Sequence, residues 1–322
     1  MTASAASPVV STDVTIRLLT SVRPICRPYP AADPAWLGLV AGAELLTYPA
    51  YMLAYRSIAQ VHGHAPLALP IVARIVVAGF GPFALGGGFG IDKQALEAIH
   101  EDERSARVRV IALGTLEWAV LAPLTCVVAI VLLVQGADVM RSLLWPWALA
   151  VPAGFAFGFW ASKPERSARL AGKLGRRREL LAQPLEGFRV LTDLIRHPVV
   201  YAGAWVGTGL YWAADICAFY GGLRTFGLDP GAGKVIIAYA TGYAATRRSL
   251  PLGGAGITEF LMTYALYWVR EPLAPALAAV LAYRVFNFLL VAAPAVIAHR
   301  QLESMFNGRR RLRRPAAQSR NG

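Results

Sequence analysis

The chain has 322 residues, a formal net charge of +13 and a mean hydropathy of +0.47. Hydrophobic residues make up 56% of it and charged residues only 16%, so polar side chains cannot cover the apolar surface of a water-soluble fold. Several apolar stretches reach the roughly 20 residues needed to cross a bilayer. The composition therefore predicts an all-α integral membrane protein and leaves no room for a separate catalytic domain.

In chain order, residues 1–34 contain five prolines and predict a disordered N-terminal arm. Apolar spans follow at 36–56, 67–86, 109–134, 143–160, 199–221, 233–252 and 274–298, with a shorter apolar segment at 256–269. These spans form a first membrane half, 35–160, and a second, 198–299. If the short segment also crosses, the protein has about eight transmembrane helices.

Positive charge is concentrated in the polar segment 161–197 and in the tail 300–322. The positive-inside rule predicts that both are cytoplasmic, in the cytoplasmic membrane, and anionic lipid headgroups would attract them. The loops 57–66, 135–142 and 222–232 are poor in Lys and Arg and are expected to face outward. No aromatic residues alternate with the arginines, which argues against nucleic-acid binding. A re-entrant segment 256–269 would place the tail outside, and the sequence leaves that alternative open.

The two halves share short sequence matches. Ala35 to Gly38 matches Ala204 to Gly207, and the glycine-rich run Leu85 to Asp92 resembles the run Leu252 to Glu259. The matches keep the same order and a spacing of about 167 residues, which favours an internal duplication with a site where the halves meet. The glycine-rich runs predict helix breaks whose free N–H groups bind an anion such as a lipid phosphate. They are also compatible with plain turns that allow close helix packing.

Ionisable residues inside apolar stretches are costly and mark either a polar path or ion pairs that hold helices together. Arg284 and Asn287 are three residues apart on one helix face, where a guanidinium can bind phosphate. Arg247 and Arg248 lie where a cytoplasmic headgroup would arrive, although they also fit simple topology anchors. The candidate substrate-binding residues are Glu44, Arg74, Gly87, Gly90, Asp92, Glu117, Asp215, Arg247, Arg248, Pro251, Gly253, Gly254, Gly256, Glu259, Arg284 and Asn287.

The sequence gives little support for hydrolytic or transferase catalysis. The five histidines lie in loops or at span ends without metal-ligand spacing, and no nucleophile motif is present. The three cysteines form no close pair. We therefore expect a protein that is not an enzyme and that uses no cofactor and no metal.

The run Leu250 to Glu259 resembles the Pro-Gly-Gly-x-Gly-x-x-Glu signature of the lysylphosphatidylglycerol synthase transmembrane family, also called flippase-like. Ala282-Tyr283-Arg284 resembles that family's Tyr-Arg on the next helix, and the resemblance extends over about residues 35–300. It implies an all-helical bundle of two related halves. The chain departs from the pattern at Leu252, often Gly in the family, and at Thr258, often Arg.

Well-understood members of that family join this module to a cytoplasmic aminoacyltransferase, and the membrane part moves aminoacylated phosphatidylglycerol to the outer leaflet. The polar stretches of this sequence are too short for such a transferase domain, so we expect none here. The resemblance therefore implies translocation of an anionic or aminoacylated phospholipid across the cytoplasmic membrane. The alternative is a non-transporting membrane partner or assembly factor for a lipid-synthesis or cell-envelope enzyme.

Overall fold

A computed structural model describes residues 33–60, 67–80, 88–98, 103–174, 178–243 and 254–318. Within these ranges every regular element is helical, which confirms the all-α class. The helices are α1 (Ala35–Ile58), α2 (Leu69–Phe80), α3 (Gly88–Ala98), α4 (Glu103–Val134), α5 (Arg141–Ala161), α6 (Pro164–Leu174), α7 (Arg178–Arg196), α8 (Ala202–Thr225), α9 (Ala232–Tyr243), α10 (Ile257–Trp268) and α11 (Leu273–Gln318). The N-terminal arm, residues 1–32, lies outside the described residues.

Four of the described helices are long and apolar enough to cross a membrane, which confirms a multi-pass membrane protein. They comprise Ala35–Ile58, Ala106–Val134, Arg141–Ala161 and Leu273–Ser304. Helix α5 contains a π-helical turn at Pro146–Ala150, where a proline lacks the N–H that a regular turn would use. Helix α8 has 24 residues, the same length as α1.

Four other helices are too short to cross alone. Helices α2, α9 and α10 have 12 residues each and α3 has 11. At 1.5 Å per residue they are about 18 Å long, a little over half of the roughly 30 Å hydrocarbon core. The segments 67–86 and 233–252, predicted as full spans, therefore each contain a described helix of only half the length of a crossing.

The polar segment 161–197 is not the open loop that its charge suggests. It contains α6 and α7, and α7 has the buried residues Val190, Leu191 and Leu194 on one face. The ring of Phe188 packs against Phe155 and Phe159 of α5, with ring centroids 5.7 and 5.3 Å apart. Although this segment is rich in arginine, α7 has an apolar stripe with helical spacing. That stripe packs α7 against α5. The tail is likewise helical, since α11 continues to Gln318.

Helices α1 and α8 pack against each other in antiparallel orientation. Gly203, near the start of α8, lies beside Ser57 at the end of α1. At the other end, the Asp33 N–H donates to the Thr225 carbonyl at 3.1 Å. In between, a methyl group added to Gly207 would lie 2.5 Å from the Ala54 nitrogen. Glycine permits this close backbone approach, which is a common way for helices to associate in lipid.

The short helices α9 and α10 enter and leave at one end of the bundle. Gly233, near the start of α9, lies beside Val128 and Leu132 of α4. At the end of α10, the Trp268 carbonyl accepts a hydrogen bond of 3.0 Å from the Met140 N–H, just beyond the end of α4. Helices α9 and α10 therefore run antiparallel to each other, as a hairpin.

The position of the end of α1 contradicts the expectation that residues 57–66 lie on the side of the membrane opposite the basic segment. Residues 57–60 lie beside the start of α8, which directly follows the basic segment 161–197. The sequence assigned residues 57–66 and the basic segment to opposite sides of the membrane, because each apolar span was counted as a crossing. The structure places residues 57–60 at the same end of the bundle as the basic segment.

We predict that Gly207→Ala destabilises the protein, because the new Cβ would lie 2.5 Å from the Ala54 nitrogen and 2.7 Å from the Ala50 oxygen. Overpacking of this kind costs about 1–3 kcal/mol, so thermal unfolding in detergent should shift down by about 5 °C. Gly209→Ala is the matched control in the same helix, since nothing lies within 4 Å of its new Cβ. Equal melting temperatures for the two variants would contradict the close α1–α8 contact.

Candidate functional site

The site is built around the first turn of α10. Gly254 and Gly256 have φ angles of 69° and 86°, in the left-handed region that glycine adopts without strain. Gly256 is the residue before the helix, and its N–H donates to Glu259 Oε2 at 2.5 Å. Glu259 thus caps its own helix, and its negative charge lies at the positive end of the helix dipole.

The second carboxylate oxygen of Glu259 binds Arg284. Arg284 Nε donates to Glu259 Oε1 at 2.6 Å, which joins α10 to α11. The Arg284 side chain is 4% exposed and that of Glu259 13%. The ring of Phe288 lies 4.3 Å from the guanidinium carbon of Arg284. The Glu259 carboxylate therefore neutralises the Arg284 guanidinium and also accepts a hydrogen bond from a backbone N–H at the start of the helix.

The cluster extends across to α1. Asn287 Nδ2 donates to Glu44 Oε1 at 2.9 Å, and Glu44 is 1% exposed. The distance between Arg284 Nη1 and Asn287 Oδ1 is 3.5 Å, at the limit for a hydrogen bond. Arg284 and Asn287 do share one face of α11, as predicted, and that face lies against both carboxylates. Residues from the two predicted halves, Glu44 and Glu259, therefore meet at α11.

Tyrosine hydroxyl groups connect this cluster to Asp215 of α8. Arg284 Nη1 donates to the Tyr243 hydroxyl at 3.0 Å, and the hydroxyls of Tyr243 and Tyr283 are 3.0 Å apart. Tyr283 donates to Asp215 Oδ1 at 2.6 Å, while Tyr239 donates to Asp215 Oδ2 at 2.5 Å. Asp215 is fully buried. The buried network thus spans α1, α8, α9, α10 and α11.

The network lies deep in the bundle but close to its lipid-facing surface. Glu259 is nine residues before Trp268, the last residue of α10, so it lies about 14 Å from that end of the bundle. This is near half the thickness of the hydrocarbon core. On the opposite face of α10, the large side chains Ile257, Phe260, Tyr264 and Tyr267 are all exposed. A single helix therefore separates part of the site from the outer surface of the bundle.

Four other predicted residues lie on helices of the first predicted half. Glu117 accepts a hydrogen bond of 2.5 Å from the Tyr51 hydroxyl, and its carbonyl accepts one of 3.0 Å from Trp212 Nε1. Asp92 is fully buried on α3, and Arg74 is half-buried on α2. Gly90 lies in the first turn of α3 with open space around it. The hydrogen bonds of Arg284 to Glu259, Tyr243 and Asn287 involve none of these four residues.

The remaining five candidates lie outside the described residues. They are Gly87, Arg247, Arg248, Pro251 and Gly253. Sequence reasoning missed Tyr239 and Tyr243, because a tyrosine in an apolar helix reads as ordinary core or interfacial packing. Their spacing of four residues places both hydroxyl groups on one face of α9, and this was the available signal.

Comparisons with known proteins agree with the helical architecture. A family model described as the lysylphosphatidylglycerol synthase TM region matches residues 6–295. Searches of curated proteins and of solved structures found no match. The match covers nearly the whole membrane part, including every helix that contributes to the buried network. The chain belongs to the family of lysylphosphatidylglycerol synthase transmembrane regions.

Proposed function

We propose that this protein moves a phospholipid with an anionic or aminoacylated headgroup between the leaflets of the cytoplasmic membrane. The observation that carries the proposal is the buried Glu259–Arg284 pair at the start of a half-length helix, joined through Asn287 to Glu44. Buried charges at membrane depth are expensive and usually serve a substrate path. Family membership supports a lipid as that substrate.

The charges of the site suit a headgroup that carries a phosphate. A guanidinium binds phosphate through parallel hydrogen bonds, so Arg284 is the phosphate-binding residue in this proposal. The phosphate would replace Glu259 at Arg284, and Glu259 would then pair with an amine of the headgroup or remain on the Gly256 N–H. Glu44, held by Asn287, provides a second carboxylate for a cationic group.

Lipid would reach the site sideways from the bilayer. Helix α10 is covered on its outer face by exposed apolar and aromatic residues, and α11 exposes Leu281, Val285 and Leu289. These surfaces match acyl chains, and the Glu259–Arg284 ion pair joins the same two helices. A headgroup that moves between α10 and α11 would keep its tails in the bilayer throughout.

We further propose that the two halves are inverted repeats. Helix order and length agree, since a long helix is followed by two short ones and a long one in both 35–134 and 202–318. The bounds of α1 and α8 differ by 167 residues at both ends. Their antiparallel packing gives the halves opposite directions through the membrane. Such repeats are common in transporters, with broken helices at the midplane site.

This arrangement also allows segment 256–269 to be re-entrant while both basic regions stay on the cytoplasmic side. A hairpin of α9 and α10 returns to the side from which it entered, so only α8 and α11 cross between the basic segment and the tail. Both basic regions then remain cytoplasmic with segment 256–269 re-entrant. Counting α2–α3 as the equivalent hairpin of the first half gives five full crossings instead of eight.

The topology is tested with single cysteines in a variant that lacks Cys26, Cys126 and Cys217. We expect Asp138→Cys and Glu271→Cys to react with a membrane-impermeant maleimide from the outside of intact cells. Lys163→Cys and Gln60→Cys should react only after the cells are opened. Gln60→Cys is the decisive position, because alternating crossings of every apolar span place it outside. Its labelling in intact cells would contradict the five-crossing arrangement.

The transport proposal is tested in proteoliposomes with fluorescent phosphatidylglycerol and an aminoacylated analogue. We expect Glu259→Gln and Arg284→Gln each to lower the initial translocation rate by at least about tenfold, because each leaves a buried charge without its counter-ion. Arg270→Gln is the control, since Arg270 forms an exposed ion pair of 3.0 Å with Asp138 at the end of the bundle. Normal transport by both site variants would overturn the assignment of the site.

A second candidate function is that of a membrane partner for a lipid-synthesis or cell-envelope enzyme. It is favoured by the exposed Lys163 and Arg169 at the end of α5 and on α6, which form a basic surface beside the membrane. Crosslinking from these positions to one stable protein partner, together with no lipid exchange by the purified protein, would favour this function over transport.

A further inference from the structure

The chain of side chains from Arg284 to Asp215 extends beyond the residues expected to touch a headgroup. It runs from α11 through Tyr243 of α9 and Tyr283 of α11 to α8. We propose that Tyr243, Tyr283 and Asp215 are positioning residues, which hold the Arg284 guanidinium in the orientation that binds an anionic headgroup. This inference rests on the proposed function and adds residues that act through Arg284.

The hydrogen bonds that run from Arg284 through Tyr243 and Tyr283 to Asp215 form a hydrogen-bond chain with a defined direction. A guanidinium only donates and an ionised carboxylate only accepts, while each tyrosine hydroxyl has one proton to donate. Tyr283 lies 2.6 Å from Asp215 Oδ1 and 3.0 Å from the Tyr243 hydroxyl, so its proton goes to the carboxylate. The Tyr243 proton then points to the Tyr283 oxygen, and Tyr243 is left to accept from Arg284. The chain links a cation at one end to an anion at the other.

This direction makes the chain a support for the guanidinium. Asp215 polarises Tyr283, and Tyr283 in turn makes the Tyr243 oxygen a stronger acceptor for Arg284, since hydrogen bonds in a row strengthen one another away from water. Glu259 binds Nε of Arg284, and Tyr243 binds Nη1. Two of the three guanidinium nitrogens are therefore held from different helices, which sets the plane of the group.

The chain matters most when the headgroup arrives. If phosphate takes the place of Glu259 at Arg284, the contact of Nε changes while that of Nη1 with Tyr243 is retained. All four members of the chain are buried, with Asp215 and Tyr283 at 0% exposure, so water does not compete for these bonds. Arg284 thus keeps its position during the exchange of partners, and the side chain need not be ordered anew on binding.

Tyr239 offers a matched control within the same network. It is also fully buried, and it donates to the other oxygen of Asp215 at 2.5 Å. Its ring packs on Phe219 at 5.8 Å, and that of Tyr283 packs on the same ring at 5.5 Å. The connection from Asp215 onward to Arg284, however, runs through Tyr283 and Tyr243. Loss of the Tyr239 hydroxyl therefore perturbs Asp215 without breaking the chain.

The test measures initial translocation rate against the fraction of fluorescent phosphatidylglycerol in proteoliposomes. We expect Tyr283→Phe and Tyr243→Phe to raise the lipid fraction for half-maximal rate by about tenfold, with the maximal rate changed by less than about twofold. Tyr239→Phe should raise it by less than about threefold. Melting temperatures in detergent check that all three variants fold, because each retains its buried ring.

A double-mutant cycle shows whether the tyrosines act through Arg284. In an Arg284→Lys background, where the planar guanidinium is absent, we expect Tyr283→Phe to add less than about twofold. If Arg284→Lys is inactive, the same cycle is read from the rise in melting temperature caused by dihexanoyl phosphatidylglycerol. Equal effects of Tyr283→Phe and Tyr239→Phe, or full additivity with Arg284→Lys, would overturn the positioning role. No saturable translocation by the wild-type protein would instead contradict the proposed function, and this inference with it.

Discussion

Hydrocarbon offers no hydrogen bonds, so each polar group at membrane depth needs a partner within the protein. In this chain the constraint falls hardest on Arg284, which lies on α11, a helix long and apolar enough to cross a membrane. Glu259 meets the need of the guanidinium, and the same carboxylate binds the N–H of Gly256. A charged side chain and an open helix start, each costly alone, are thus satisfied by one residue. The positions of α10 and α11 relative to each other depend on this double contact.

The other polar residues connect the Glu259–Arg284 pair to further helices. Asn287 carries the network to Glu44 on α1, and the tyrosines carry it to Asp215 on α8. Each connection crosses between helices that are far apart in the chain. A site assembled in this way responds to any relative movement of its helices, because displacement of one element breaks contacts with several others. That property suits the lipid translocation proposed above.

Close packing of the long helices complements the polar network. Gly203, Gly207 and Gly221 bring the backbone of α8 against α1, and Gly242 brings α9 against Met262 of α10. In lipid there is little hydrophobic gain from such contacts, so close approach and dispersion forces take the main role.

The sequence by itself determined the membrane class, the helical architecture and the family, and it singled out Glu259 and Arg284, which the structure joins in one ion pair. Ionisable residues are conspicuous in apolar sequence, and glycine-rich runs disclose where helices begin. It did not disclose which carboxylate faces Arg284, since Glu44, Glu117 and Asp215 are all buried acids at similar depth. Only the tertiary structure placed Glu44 beside Asn287, 243 residues away, and assigned Glu117 to Tyr51. It also brought in Tyr239 and Tyr243 and packed α7 on the bundle. Such pairings depend on how helices are rotated and oriented against one another, and periodicity within a single helix carries no information about the neighbour it will face.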